Sequence, residues 1–135
     1  LEGDLPENKK SFNFTHKNKI KKTLVISSGY FCNLASEVAG ERQDVSVINF
    51  FKMKNFNEFK FIEIIKQYKK IIIYDESTKL GGISPILMAF LNKYNLAINV
   101  QILASPDKQT FKYSLERNKI LKSLGIYKTD LKRLF

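Results

Sequence analysis

Short apolar runs of strand type alternate along this chain with stretches whose apolar residues recur at helical spacing, and that alternation limits the fold more than anything else in the sequence. Thr23-Leu24-Val25-Ile26 is a buried-strand run stopped at Ser27-Ser28-Gly29. Phe31, Leu34, Ala35 and Val38 then fall at i, i+3, i+4 and i+7, the one-faced spacing of a helix, which Gly40 closes. The pattern repeats. Val45–Phe50 is strand-like, and Phe56-Asn57-Glu58 opens a helix carrying Phe61, Ile64, Ile65 and Tyr68. Ile71–Tyr74 is the next strand, and Ile83–Tyr94 the next helix, with Ile86, Leu87, Phe90 and Leu91 at helical spacing. Ile98–Leu103 predicts a fifth strand, Leu115–Leu124 a helix closed by Gly125, and Thr129 the cap of a last turn holding Leu131 and Leu134. Near the front, Phe12-Asn13-Phe14 alternates as an edge strand does. Lys17-Asn18-Lys19 adds turn chemistry, which places His16 in a hairpin. Strands alternating with helices imply crossover units, a mostly parallel sheet and helices on both faces. The expected fold is a three-layer α/β/α domain whose mostly parallel five-stranded sheet carries one antiparallel N-terminal edge strand.

A chain of 135 residues suits one such domain, spanning 12–135, with polar residues 1–11 around Pro6 as a linker or arm. A core of that size needs no staple. With Cys32 as the one cysteine, an internal disulfide is excluded and a reducing, cytoplasmic setting is expected. His16 is the one histidine, so neither a Cys/His metal cluster nor a site built from several histidines can form. No apolar run approaches the roughly 20 residues of a membrane span. The opening Leu1-Glu2-Gly3-Asp4-Leu5-Pro6 has no signal-peptide character, and without a starting methionine the sequence reads as part of something longer.

The net charge of +10 brings nucleic acid to mind, but the details argue against it. Lysine outnumbers arginine 20 to 3, whereas bidentate recognition of phosphates and bases favours arginine. Lys, 15 Ile and 11 Asn in excess together fit an AT-rich codon bias better than selection for a polyanion. Phe50, Phe51, Phe56, Phe59 and Phe61 interleave with Lys52, Lys54 and Lys60, as base-stacking platforms do, but Phe61 and its neighbours also match a core face. Neither nucleic acid nor membrane is the expected partner.

In parallel sheets ligands gather at the carboxyl ends of the strands. Ser27-Ser28-Gly29-Tyr30 has one glycine where a dinucleotide fingerprint needs three, and it lacks the Gly-Lys-Ser/Thr of a phosphate loop, so a tight strand-to-helix turn is expected. The segment after the fourth strand is denser in chemistry, with Asp75, Glu76, Lys79, Gly81 and Gly82. Adjacent side chains on an extended segment point apart, so Asp75 and Glu76 are poorly placed to act together, and one of them is expected to cap a helix or pair with a lysine. The glycine pair suits close packing of helix on sheet or of subunits, with anion binding as the other reading. Cys32, at a helix start, is expected to be a buried small hydrophobe, and His16 a solvated surface residue. No constellation for general acid–base or nucleophilic catalysis emerges.

The ordered series of these segments resembles the C-terminal domain of the transketolase family, which includes transketolase, deoxyxylulose-phosphate synthase and the beta subunit of 2-oxoacid dehydrogenases. Leu24-Val25-Ile26-Ser27-Ser28-Gly29 matches the opening strand that ends in glycine. Val47-Ile48-Asn49-Phe50, then Lys54-Asn55-Phe56-Asn57, match a Val-Ile-Asp-Leu…Lys-Pro-Leu-Asp sequence, with asparagine for both aspartates and no proline. Asp75-Glu76 and Gly81-Gly82 keep the spacing of an acidic pair and a glycine pair, although Ser84-Pro85 stand where a further glycine usually follows. Pro106-Asp107, Phe111, Leu121 or Leu124, and Gly125-Ile126 echo the closing pattern, with Tyr113-Ser114 in place of His-Gly. The resemblance implies a domain without a catalytic role, whose parent enzyme holds thiamine diphosphate and a divalent metal between other domains. It implies packing on preceding domains or a partner chain, and a homodimeric parent. Asp75, Glu76, Lys79, Gly81 and Gly82 would then form an interface or structural loop, with no catalytic, cofactor-binding or metal residues in this domain. The alternative is an autonomous α/β domain binding an anion or nucleotide near Lys79 and Gly81-Gly82.

Overall fold

The computed structural model describes residues 12–50, 56–77, 83–105 and 125–135. Five strands form one sheet: β1 (Phe12–His16), β2 (Thr23–Ser27), β3 (Val45–Phe50), β4 (Lys70–Ser77) and β5 (Asn99–Ser105). The helices are α1 (Gly29–Ala39), α2 (Glu58–Ile65), α3 (Ile83–Lys93) and the short α4 (Lys128–Lys132). Strand order is β1-β3-β2-β4-β5. β2 runs parallel to both β3 and β4, and β4 to β5, while β1 is antiparallel to β3. The expected mixed sheet with one antiparallel edge strand is therefore present.

β2 is buried along its whole length, as a central parallel strand covered on both faces must be, which is why its sequence is a continuous apolar run. Its alternate side chains feed two cores. Val25 joins Phe31, Leu34, Val47, Ile72 and Tyr74 on the side covered by α1 and α4. Leu24 and Ile26 join Ile48, Phe61, Ile73 and Leu87 on the side covered by α2 and α3. Lys128 and Lys132 of α4 pair with Glu37 and Glu41 at 2.5 and 2.8 Å, tying the C-terminal helix to α1 and the turn that follows it.

The hairpin expected around His16 does not form. Both edges of β2 are taken by parallel neighbours, so β1 pairs instead with the free edge of β3, Phe12 opposite Phe50 and Phe14 opposite Ile48. The connection from β1 to β2 is anchored by Asn18. Its backbone N–H donates to Ser46 Oγ at 3.0 Å, and its Nδ2 donates to the carbonyls of Arg42 and Val45 at 3.0 and 2.7 Å. His16 is accordingly half-buried, with Nε2 3.2 Å from Asn18 Nδ2, rather than a solvated residue without a partner. Two further expectations change in detail. The last helix starts after Tyr127, whose N–H donates to Asp130 Oδ2 at 3.1 Å, so Asp130 and not Thr129 supplies the cap. The helix expected over Leu115–Leu124 lies outside the described residues, as do the arm at 1–11, Asn55, Tyr113-Ser114 and the Pro106-Asp107 pair.

Candidate functional site

Ser27, Asn49 and Asp75 lie at or near the carboxyl ends of β2, β3 and β4. Each meets a different fate. Ser27 Oγ is fully buried and donates to the Tyr74 carbonyl at 2.7 Å, so it serves the sheet. After it the chain turns tightly into α1 through Gly29, whose φ of +58° is the left-handed region where a β-carbon is strained. This is the strand-to-helix turn expected in place of a nucleotide loop. Asn49 lies beside Ser27 and opposite Asn13, and its buried Oδ1 has no hydrogen-bond partner.

Asp75 is buried, with 5% of its surface exposed. Its Oδ2 accepts two hydrogen bonds from the start of α3, from Ser84 N–H at 2.9 Å and from Ser84 Oγ–H at 2.8 Å. The first turn of a helix has N–H groups without intrahelical acceptors, and it favours negative charge. A strand-end carboxylate thus caps the following helix from outside it, and this engagement holds α3 against β4. Ser84 was visible in the sequence only as a departure from a family pattern. Its signal is a small hydroxyl residue in the first turn of a helix, nine positions after a strand-end acid.

Of the segment singled out in the sequence, Asp75 alone is described with its side chain. Glu76 is placed in β4 by its backbone, and Lys79, Gly81 and Gly82 lie outside the described residues. Among the described residues no three His, Cys, Asp or Glu side chains come together as a metal site would require. Asp75 does not fit such a role either, since Oδ2 is already committed to Ser84.

The opposite face of the sheet is equally committed to structure. Tyr74 packs on Phe31 with ring centroids 4.8 Å apart, and its hydroxyl donates to the Ile126 carbonyl at 2.6 Å. Burial, with the Asp130 charge adding to it, pushes the Tyr74 phenol far above its usual range, so it stays a donor. Cys32 is buried as expected, near Thr15 Oγ1 at 3.5 Å, and burial pushes its thiol up. A thiol in that state is a poor nucleophile. Phe50 and Phe61 sit fully buried in edge-to-face contact at 5.2 Å, so these aromatics belong to the core and not to a stacking platform, while Phe59 is 76% exposed.

Residues 15–130 match the profile of the family described as "Transketolase, C-terminal domain". The chain belongs to this family. The transketolase C-terminal domain fold is also that of a solved structure described as "Split gene transketolase, inactive beta4 tetramer", with a TM-score of 0.66 at 16% identity. The superposition covers 89% of this chain and 39% of that one, so a transketolase C-terminal domain of this size spans well under half of that relative's length. No curated protein matches the sequence. Among the described residues no helix is long and apolar enough to cross a membrane.

Proposed function

We propose that the chain is a non-catalytic assembly domain of a thiamine-diphosphate-dependent enzyme of the transketolase family. Residues 12–135 form the domain in this reading, and residues 1–11 lead into it. The observation that carries the proposal is the family match over 15–130. The local chemistry supports it. Two of the described strand-end groups are spent on the fold: Ser27 on the sheet and Asp75 on the start of α3. Thiamine diphosphate and its divalent metal belong, in this account, to other domains or to a partner chain of the same enzyme. There the cofactor supplies the carbanion chemistry of ketol transfer or 2-oxoacid decarboxylation. This domain packs on those neighbours, contributes to a homodimeric parent and works in a reducing, cytoplasmic compartment, a setting that the lone buried Cys32 supports. Asp75, Glu76, Lys79, Gly81 and Gly82 serve it as a structural or interface element, and the Asp75–Ser84 bonds tie the strand to the helix on either side.

The test is to assay the purified chain, with thiamine diphosphate and Mg²⁺, on ketose phosphates and on 2-oxoacids. The expected result is no turnover above the protein-free rate. Turnover by the chain alone would overturn the assignment.

A further inference from the structure

Two connections at the amino-terminal ends of the parallel strands bring together more lysines than carboxylates. The link from β1 to β2 carries Lys17, Lys19, Lys21 and Lys22, and the link from α2 to β4 carries Lys66 and Lys69. The backbone locks the two links to each other, since the N–H groups of Lys69 and Lys70 both donate to the Lys22 carbonyl at 3.0 Å. Lys21 Nζ adds a second tie, 5.5 Å from the centre of the Tyr68 ring in the neighbouring link. Asn18, with its three hydrogen bonds to the start of β3 and the turn before it, fixes the first link. Counter-charge is sparse: Asp44 pairs with Lys22 at 3.7 Å and Glu63 with Lys66 at 3.8 Å, both across exposed or half-exposed side chains. Among the described residues no carboxylate pairs with Lys17, Lys19, Lys21 or Lys69. Within the first link stands Ile20, 53% exposed, flanked in sequence by Lys19 and Lys21.

A codon bias explains many lysines, but not their gathering at this pole of the sheet, on two links joined by backbone hydrogen bonds, one of which carries an exposed aliphatic side chain. Like charges held together on a fixed scaffold repel, and an anionic partner relieves that cost while raising the rate of encounter. We propose that this pole is a docking surface for an acidic polypeptide segment bearing apolar side chains, contributed by another chain of the enzyme. The chemistry of the pole selects that partner over other polyanions. Lysine offers point charges without the arginine fork that suits phosphates, and a nucleic-acid backbone gives Ile20 nothing apolar to bury against. A membrane surface is met by several apolar and aromatic side chains along one helix face, whereas this link carries Ile20 on a short loop. An acidic segment with apolar residues satisfies both features, its charges meeting the lysines and its apolar side chains meeting Ile20. The proposal rests on the assembly reading for the existence of a partner chain, and names the surface that meets it.

The test measures binding of the whole chain at physiological ionic strength to a random glutamate–tyrosine copolymer and to pure polyglutamate of equal length. The triple variant Lys17→Gln/Lys19→Gln/Lys69→Gln is compared with Lys60→Gln/Lys93→Gln/Lys132→Gln, which removes the same charge elsewhere. The pole triple is expected to weaken copolymer binding about tenfold or more, and the control triple less than about threefold. Ile20→Ser is expected to weaken binding of the copolymer but not of polyglutamate. Equal losses in the two triples would reduce the effect to bulk charge and overturn the proposal. So would an Ile20→Ser variant that binds both polymers as the parent does, or tighter binding to duplex DNA or to phosphatidylserine-containing vesicles than to the copolymer. Failure here leaves the assembly reading intact, because that reading is tested by turnover and not by these probes.

Discussion

Asp75 lies near the end of its strand with a carboxylate turned into the protein, where charge is costly unless hydrogen bonds hold it. Ser84 supplies two, through its N–H and its hydroxyl, and so converts a buried acid into the anchor of α3. Removing the acid leaves both donors buried and unpaired, which costs about 2–3 kcal/mol for Asp75→Ala. Ser84→Ala loses the hydroxyl bond but keeps the backbone one, so its cost is nearer 1 kcal/mol. Urea unfolding of the two variants checks this ranking, and equal costs would mean that the N–H bond contributes nothing. From the sequence, an acid at this strand end reads as one that caps a helix or pairs with a lysine. Its partner was not legible, because the residues between them carry no periodicity and contact across a loop leaves no local pattern. His16 shows the same limit. Its half-burial depends on Asn18 reaching the start of β3, a contact that no spacing within the segment encodes.

At the level of elements, what was legible follows from period. Central strands buried on both faces read as apolar runs in β2 and β4, while β3 and the edge strand β5 carry polar residues among apolar ones. Helices over a sheet read as one-faced stripes, so these strands and α1 to α3 stand where the pattern puts them. Pairing is another matter. Alternation identifies β1 as a strand but says nothing of its neighbour, and only the occupancy of both β2 edges sends it to β3. The start of α2 was legible for a local reason: Asn57 accepts the N–H of Lys60 at 3.1 Å, the standard side-chain cap, where the family pattern has aspartate. Asn57→Ala is therefore expected to cost about 1 kcal/mol, while Asn57→Asp, which keeps the acceptor and adds charge at the helix start, should be neutral or stabilising. Thermal unfolding of the pair gives the answer, and an Asp variant less stable than the Ala variant would refute the capping role.

Taken as a whole, the molecule spends Ser27 and Asp75 at the carboxyl ends of its strands on its own integrity, while the links at the opposite ends carry lysines in excess of their carboxylates. The sheet carries an apolar layer on each face, and ion pairs fasten the last helix to α1 and to the turn after it. The most direct measurement is to purify the native chain from an extract of its source cells under non-denaturing conditions and assay the eluate for turnover with and without thiamine diphosphate. Ketol-transfer or 2-oxoacid turnover is expected to co-purify with the chain and to depend on the cofactor. A native chain recovered with no such activity beside it would contradict the assignment to a thiamine-diphosphate enzyme.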